Sequence, residues 1–272
     1  MELASMGPAM SSHAPALESM LLEDAKDERM LIMHIAGVEA KAEPGLRKVC
    51  CAAAVALGSL KAEPAATSLV NALVASTDSE MQICCLDALA ELGAEGAKHQ
   101  EVVESLLTDS PPLVLTAGLR TLGRWATATF PSANSAMKVA EFLEHPHPGV
   151  KEAASVAMSC METEAVPYVD TLRKLLDDPS EKVQVAAMTA LAGAGEIGEM
   201  FASELARRVY SPSYIVSTSA VENLQKMGAR GQAYLEELLE LLQEGGHSEL
   251  FGLVQSALVA ANPNPLQIEA HE

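Results

Sequence analysis

The chain has 272 residues, of which 49% are apolar and only 3% aromatic, so its core must be built from Ala, Leu, Val and Met. That composition favours close helix-on-helix packing over a β-sandwich, which draws on β-branched and aromatic side chains. A net charge of −19 and a pI near 4.7 repel phosphate backbones and anionic headgroups. Nucleic acid and membrane surfaces are therefore poor partners, and a basic protein surface is a better one.

Residues 1–26 form an irregular N-terminal segment. Within it, 12–24 is expected to be a capping helix with Leu17, Met20 and Leu21 turned inward. The start lacks a basic region followed by a long apolar run, so it does not read as a secretory signal. No apolar run reaches the roughly 20 residues of a membrane span. A cytoplasmic protein is expected, or an organellar one if the chain is a processed form.

Residues 27–262 repeat. Taking Val49, Met81, Val114, Val150, Val183, Val216 and Leu250 as anchors, the interval is about 33 residues. Four positions past each anchor stand Ala53, Cys85, Gly118, Ala154, Ala187, Ala220 and Val254. Eight past stand Leu57, Leu89, Leu122, Met158, Leu191, Leu224 and Leu258. These offsets make one stripe on a helix. Small residues beside it, such as Ala52, Ala153 and Ala186, let a paired helix come close.

Each of these second helices has start and stop signals. Asp178-Pro179-Ser180-Glu181 reads as an N-cap Asp178, a Pro at the first helical position and a Glu completing a capping box. Thr77-Asp78-Ser79-Glu80, Asp109-Ser110-Pro111-Pro112, His145-Pro146-His147-Pro148 and Ser211-Pro212-Ser213 take equivalent places. Gly93, Gly195 and Gly228 fall where a C-cap glycine belongs. First helices are expected at 65–75, 99–107, 133–144, 166–177, 200–210 and 232–243. Neither helix can bury its stripe alone, so the pairs must stack. Residues 263–272 read as a flexible tail.

The pattern V-x-x-A-A-x-x-A-L-x-x-x-G, best seen from Val183 to Gly195 and next best from Met81 to Gly93, resembles the HEAT-repeat superfamily, in particular its short PBS-lyase-type units. The resemblance implies an all-α superhelix, an α-solenoid of about seven two-helix HEAT-like repeats, with the second helices lining its concave surface. Many units of that family carry an Arg just after the anchor. Here the position reads Cys50, Gln82, Leu115, Lys151, Gln184, Ser217 and Phe251, so no arginine ladder is expected.

Two enzymes enter through the resemblance. A di-iron hydroxylase of this architecture uses several His-Glu pairs, whereas this chain has the single pair His271-Glu272. A bilin lyase needs a groove with basic side chains for the pigment carboxylates, and no Lys or Arg follows Arg230. Of the histidines (His13, His34, His99, His145, His147, His247, His271), three fall near helix starts or turns, His145, His147 and His247, and read as polar turn residues. The pairs Cys50-Cys51 and Cys84-Cys85, with Cys160, read as reduced core residues, because neighbours on a helix point about 100° apart and do not converge on a metal. No catalytic residue, cofactor or metal is expected.

The expected function is a non-catalytic scaffold, or a subunit of a larger assembly, that binds a segment of a protein partner along the concave face. The alternative is an accessory factor of an enzyme, such as a bilin-lyase-like protein. At 100° per residue, positions two, six and nine past each anchor point away from the core. Few are charged, which suggests a covered face, although mutual shielding of curved helices explains the same pattern. Val55, Ile83, Arg120, Val156, Val185, Thr189 and Glu222 are the candidates there. A second candidate is the acidic face of Glu236, Glu240 and Glu244, spaced for one side of a helix, which suits a basic or helical partner segment or simply a polar end of the array.

Overall fold

The computed structural model describes residues 14–22, 49–129, 131–245 and 248–261. The first histidines, the tail and most of the N-terminal segment lie outside them, as do the side chains of Met20, Leu21, Val49, Cys50, Glu244 and Leu250. Among the described residues there are helices and no strand. The chain divides into two compact units, Met1–Phe130 and Pro131–Glu272.

In the first unit, α1 (Ala14–Leu22) packs on α2 (Val49–Ser59) and α3 (Ala66–Ala75), with Leu17 buried. The second helices α2, α4 (Ser79–Glu91) and α7 (Pro112–Ala128) lie side by side. Behind them, α3 pairs with α4, and α5 (Ala94–Ala97) and α6 (Gln100–Leu106) pair with α7.

The second unit repeats the scheme. Its second helices are α9 (Pro148–Ser159), α11 (Glu181–Gly193), α14 (Tyr214–Lys226) and α16 (Ser248–Ala261). Its first helices are α8 (Ala133–Ala140), α10 (Val169–Leu175), α12 (Gly195–Glu199) with α13 (Ala202–Arg208), and α15 (Gly228–Gly245). The anchors Met81, Val114, Val150, Val183 and Val216 are buried, as are Leu57, Leu89, Leu122, Met158, Leu191 and Leu224 eight residues on.

The corner after α2, α4, α9, α11 and α14 is built by one backbone conformation. Gly93, Gly195 and Gly228 have φ of 56°, 61° and 53°, the left-handed region in which glycine carries no steric penalty. Lys61 and Glu162 occupy the same offset with φ of 49° and 45°, where a side chain is strained. Three residues after each glycine stands another: Gly96, Gly198 and Gly231. A Cβ there would overlap the carbonyl oxygen of Leu89, Leu191 or Leu224, so the first helix runs directly under the end of the second.

The starts of α4, α9, α11 and α14 also share a device, and it corrects the reading of Asp178. The helix begins at Glu181 with Ser180 as N-cap. Asp178 lies two residues before the cap, where its Oδ1 accepts the Ser180 N–H at 2.9 Å. Ser76, His145 and Ser211 do the same for Asp78, His147 and Ser213, at 3.1, 3.1 and 3.2 Å. His145 is thus a turn residue accepting through Nδ1. The position after the anchor then reaches back: Gln82 and Gln184 donate to the carbonyls of Ser76 and Asp178 at 2.9 and 2.7 Å. Lys151, at that position in the preceding repeat, pairs with the Asp178 carboxylate. There is no arginine ladder, but glutamine and lysine supply some of its rungs.

Candidate interaction surface

Second helices that pack on neighbours along both flanks keep only a narrow strip in solvent. The position six past the anchor carries it: Asp87 and Arg120 are exposed in the first unit, Val156 and Glu222 in the second, while Val55 and Thr189 are half-buried. The position two past is partly covered, with Ile83 and Val185 half-buried and Cys51 buried. The position nine past is a correction. Gly58, Ala90, Gly123 and Ala192 are buried. At Gly58 the next second helix is the cause, since a Cβ there would come within 2.7 Å of the Ala88 Cα, so its small size serves approach between repeats.

In the second unit α9, α11 and α14 are successive neighbours, so Val156, Val185, Thr189 and Glu222 share a face. Val156 is 42% exposed. Thr189 is tied into the array: its Oγ1 donates to the Val185 carbonyl at 3.0 Å and accepts from Asn223 Nδ2 at 3.4 Å. Asn223 also donates to the Ser219 carbonyl and hydroxyl, at 2.9 and 3.1 Å, while its Oδ1 is buried without a partner among the described residues. In the first unit Val55, Ile83 and Arg120 lie on α2, α4 and α7, which are likewise neighbours.

The acidic candidates stand on a first helix. Glu236 and Glu240 are exposed on α15, and Glu236 accepts from Gln232 Nε2 at 3.0 Å. The Glu244 side chain lies outside the described residues.

Two clefts on the first-helix side of this unit were not foreseen. One, of about 340 Å³, lies between α13 and α15 and is lined by Ala206, Arg207, Tyr210, Tyr234, Leu238 and Leu241, among others. Nothing in their helical spacing separates these apolar residues from core ones. The other, of about 540 Å³, is polar. In it Arg208 pairs with Asp177 at 2.6 Å and donates to the Leu176 carbonyl at 3.2 Å, and Arg173 pairs with Glu204 at 2.7 Å. Arg207 lines both clefts.

Cys51, Cys84 and Cys85 are buried, and Cys160 is half-buried. Burial pushes the Cys160 thiol pKa up; a hydrogen bond with Ser159 opposes this and the Glu162 charge adds to it. Among the described residues no group of three or more His, Cys, Asp or Glu side chains is placed to hold a metal ion. No described helix is long and apolar enough to cross a membrane.

Comparison with protein-family models and with curated proteins finds no match to this chain. Solved structures do match. The karyopherin Kap121p bound to Nup53p is similar over 92% of this chain, at 16% identity and a TM-score of 0.63, and this chain spans only 29% of the karyopherin. An engineered protein is similar over 73% of this chain and 96% of its own, at 22% identity and a TM-score of 0.55. The complex of CpcE and CpcF of phycocyanin lyase from Nostoc sp. PCC7120 is similar over 82% of this chain and 98% of that one, at 18% identity and a TM-score of 0.51. At these identities the likeness is one of fold: the chain is built of stacked helix pairs, as helical solenoids are.

Proposed function

We propose that the chain is a non-catalytic scaffold, or a subunit of a larger assembly, that binds a segment of a protein partner along the second helices of its C-terminal unit. The observation that carries this reading is the row of Val156, Val185 and Thr189. It offers an exposed valine and two half-buried, uncharged side chains on a face that in an uncovered helix would be charged. Two of the similar folds are seen in complexes with protein partners, Nup53p in one and CpcF with CpcE in the other. Both support a partner-binding role.

The test is co-purification of the tagged chain followed by mass spectrometry. A stoichiometric partner should be recovered with the wild type and lost with Val156→Glu or Val185→Glu, while their helical circular dichroism and melting stay unchanged. Retention of the partner by both folded variants would remove the row from the binding surface. The likeness to the phycocyanin lyase complex sustains a second reading, an accessory factor of a pigment-attaching enzyme. Visible absorbance in the purified complex would favour it.

A further inference from the structure

The polar cleft of the C-terminal unit has a serine in its wall. Ser211 lines it beside Gln184, Arg173, Arg207 and Arg208. It stands in the turn between α13 and α14, half-buried, with exposed Tyr210 before it and exposed Pro212 after it. Its N–H donates to the Arg208 carbonyl at 3.0 Å, so it lies one turn beyond the two arginines that end α13. Its Oγ accepts the Ser213 N–H at 3.2 Å and gives its own proton to no described residue.

The fold already holds an anion at this place one repeat earlier. Asp178 has the equivalent position before α11, where it accepts the Ser180 N–H at 2.9 Å and pairs with Lys151 of the preceding second helix. For Ser211 the counterpart of Lys151 is Gln184, and it lines the same cleft. Both positions come two residues before an N-cap, the helix end that favours negative charge. Arg208 is spent on Asp177 and on the carbonyls of Leu176 and Glu204, and Arg173 pairs with Glu204. Arg207 makes no hydrogen bond or ion pair with a described residue. Its charge is therefore the one that the carboxylates of the cleft, Asp177 and Glu204, leave unbalanced.

We propose that Ser211 is a phosphorylation site and that Arg207 holds its phosphate in this cleft. A serine followed by an exposed proline suits a proline-directed protein kinase. In the transfer, the Ser211 Oγ bonds to the terminal phosphorus of a nucleoside triphosphate bound by that kinase. The bond from this phosphorus to the bridging oxygen breaks, the nucleoside diphosphate leaves, and the hydroxyl proton passes to the catalytic carboxylate of the kinase. The new group carries a charge of about −1.5 to −2 and has acceptor oxygens for both Arg207 and the Ser213 N–H. It ties α13 to the start of α14 and is independent of the Val156–Val185 row.

The test has two arms. A proline-directed kinase and ATP are given the folded chain and, separately, a peptide of residues 206–216, and the phosphate is mapped by mass spectrometry. Both should be modified at Ser211, and Ser211→Ala should abolish the modification in both. An unmodified peptide, or a modified peptide beside an unmodified folded chain, would overturn the site. In the second arm phosphoserine is genetically encoded at position 211 and titrated by phosphorus NMR. In the folded chain it should lose its second proton at lower pH than in the phosphopeptide, because a guanidinium favours the dianion. Arg207→Gln, at an exposed residue, should move the titration back toward the peptide. Equal titrations in chain and peptide, or a lowered one that Arg207→Gln leaves in place, would overturn the docking.

Discussion

The indole N–H of Trp125 donates to the Leu89 carbonyl oxygen at 3.1 Å, joining α7 to the end of α4, and Gly96 packs beneath the same oxygen. The ring is 1% exposed, so one buried contact closes a corner between repeats. Trp125→Phe keeps the volume nearby but orphans that acceptor, at a cost of about 1–3 kcal/mol. Gly96→Ala forces the backbone apart and should cost a similar amount. Urea unfolding followed by helical circular dichroism measures both. Gly252→Ala, on open helix surface, should instead stabilise by about 0.5–1 kcal/mol.

Lys61 and Glu162 hold the left-handed conformation that glycine takes at the other corners. Lys61→Gly and Glu162→Gly remove about 1–2 kcal/mol of steric strain and give back about 0.5–1 kcal/mol in chain entropy. Each should raise the unfolding midpoint modestly. Gly195→Lys, the reverse exchange, should lower it. A fall in midpoint for both glycine variants would mean that the side chains hold the corner.

Asp178 is a buried carboxylate of the second unit that holds two partners. Its side chain is 6% exposed, it pairs with Lys151 at 17%, and it accepts the Ser180 N–H. Asp178→Ala leaves an ammonium without its partner and a cap N–H without its acceptor, at about 3–5 kcal/mol. Lys151→Met should cost less, because the carboxylate keeps Ser180. The double variant should be milder than the sum of the two, which a double-mutant cycle in chemical denaturation reads directly.

The raised pKa of Cys160 has a kinetic sign. The thiolate is the nucleophile, so a thiol held protonated by burial reacts slowly at neutral pH. Alkylation of the native protein by iodoacetamide should be slower at Cys160 than for free glutathione at the same pH. The rate should keep rising with pH beyond the point where glutathione levels off. Peptide mapping by mass spectrometry follows the site, and fast neutral labelling would contradict the burial.

Periodicity made the packing legible. Val183, Ala187 and Leu191 are all buried, and Gly195 closes the corner. That Lys61 and Glu162 share the glycine position was visible in their offset from the anchor, but their residue types hid it. What a single-helix wheel misses is the neighbour on the flank. It placed Gly58 facing outward, whereas the adjacent second helix buries it. It likewise took Asp178 for a cap, because a local motif does not show a lysine arriving from the preceding repeat. The Tyr210–Leu241 cleft was illegible for a related reason: its residues fall on ordinary apolar stripes, and only the placement of α13 and α15 leaves them uncovered.

One second helix is longer than the rest. α7 has 17 residues, against 13 in α4, α11 and α14, and it runs straight through Ala126, the offset at which its counterparts turn. The surplus, Trp125 to Ala128, lies wholly at its C-terminal end and is close to one helical turn of about 3.6 residues. Trp125 is buried while Thr127 and Ala128 are exposed, so what the added turn brings into the core is the indole that holds the Leu89 carbonyl. Where α4, α11 and α14 give way to a left-handed glycine, α7 keeps its helix and fastens its end to the preceding repeat by a side chain.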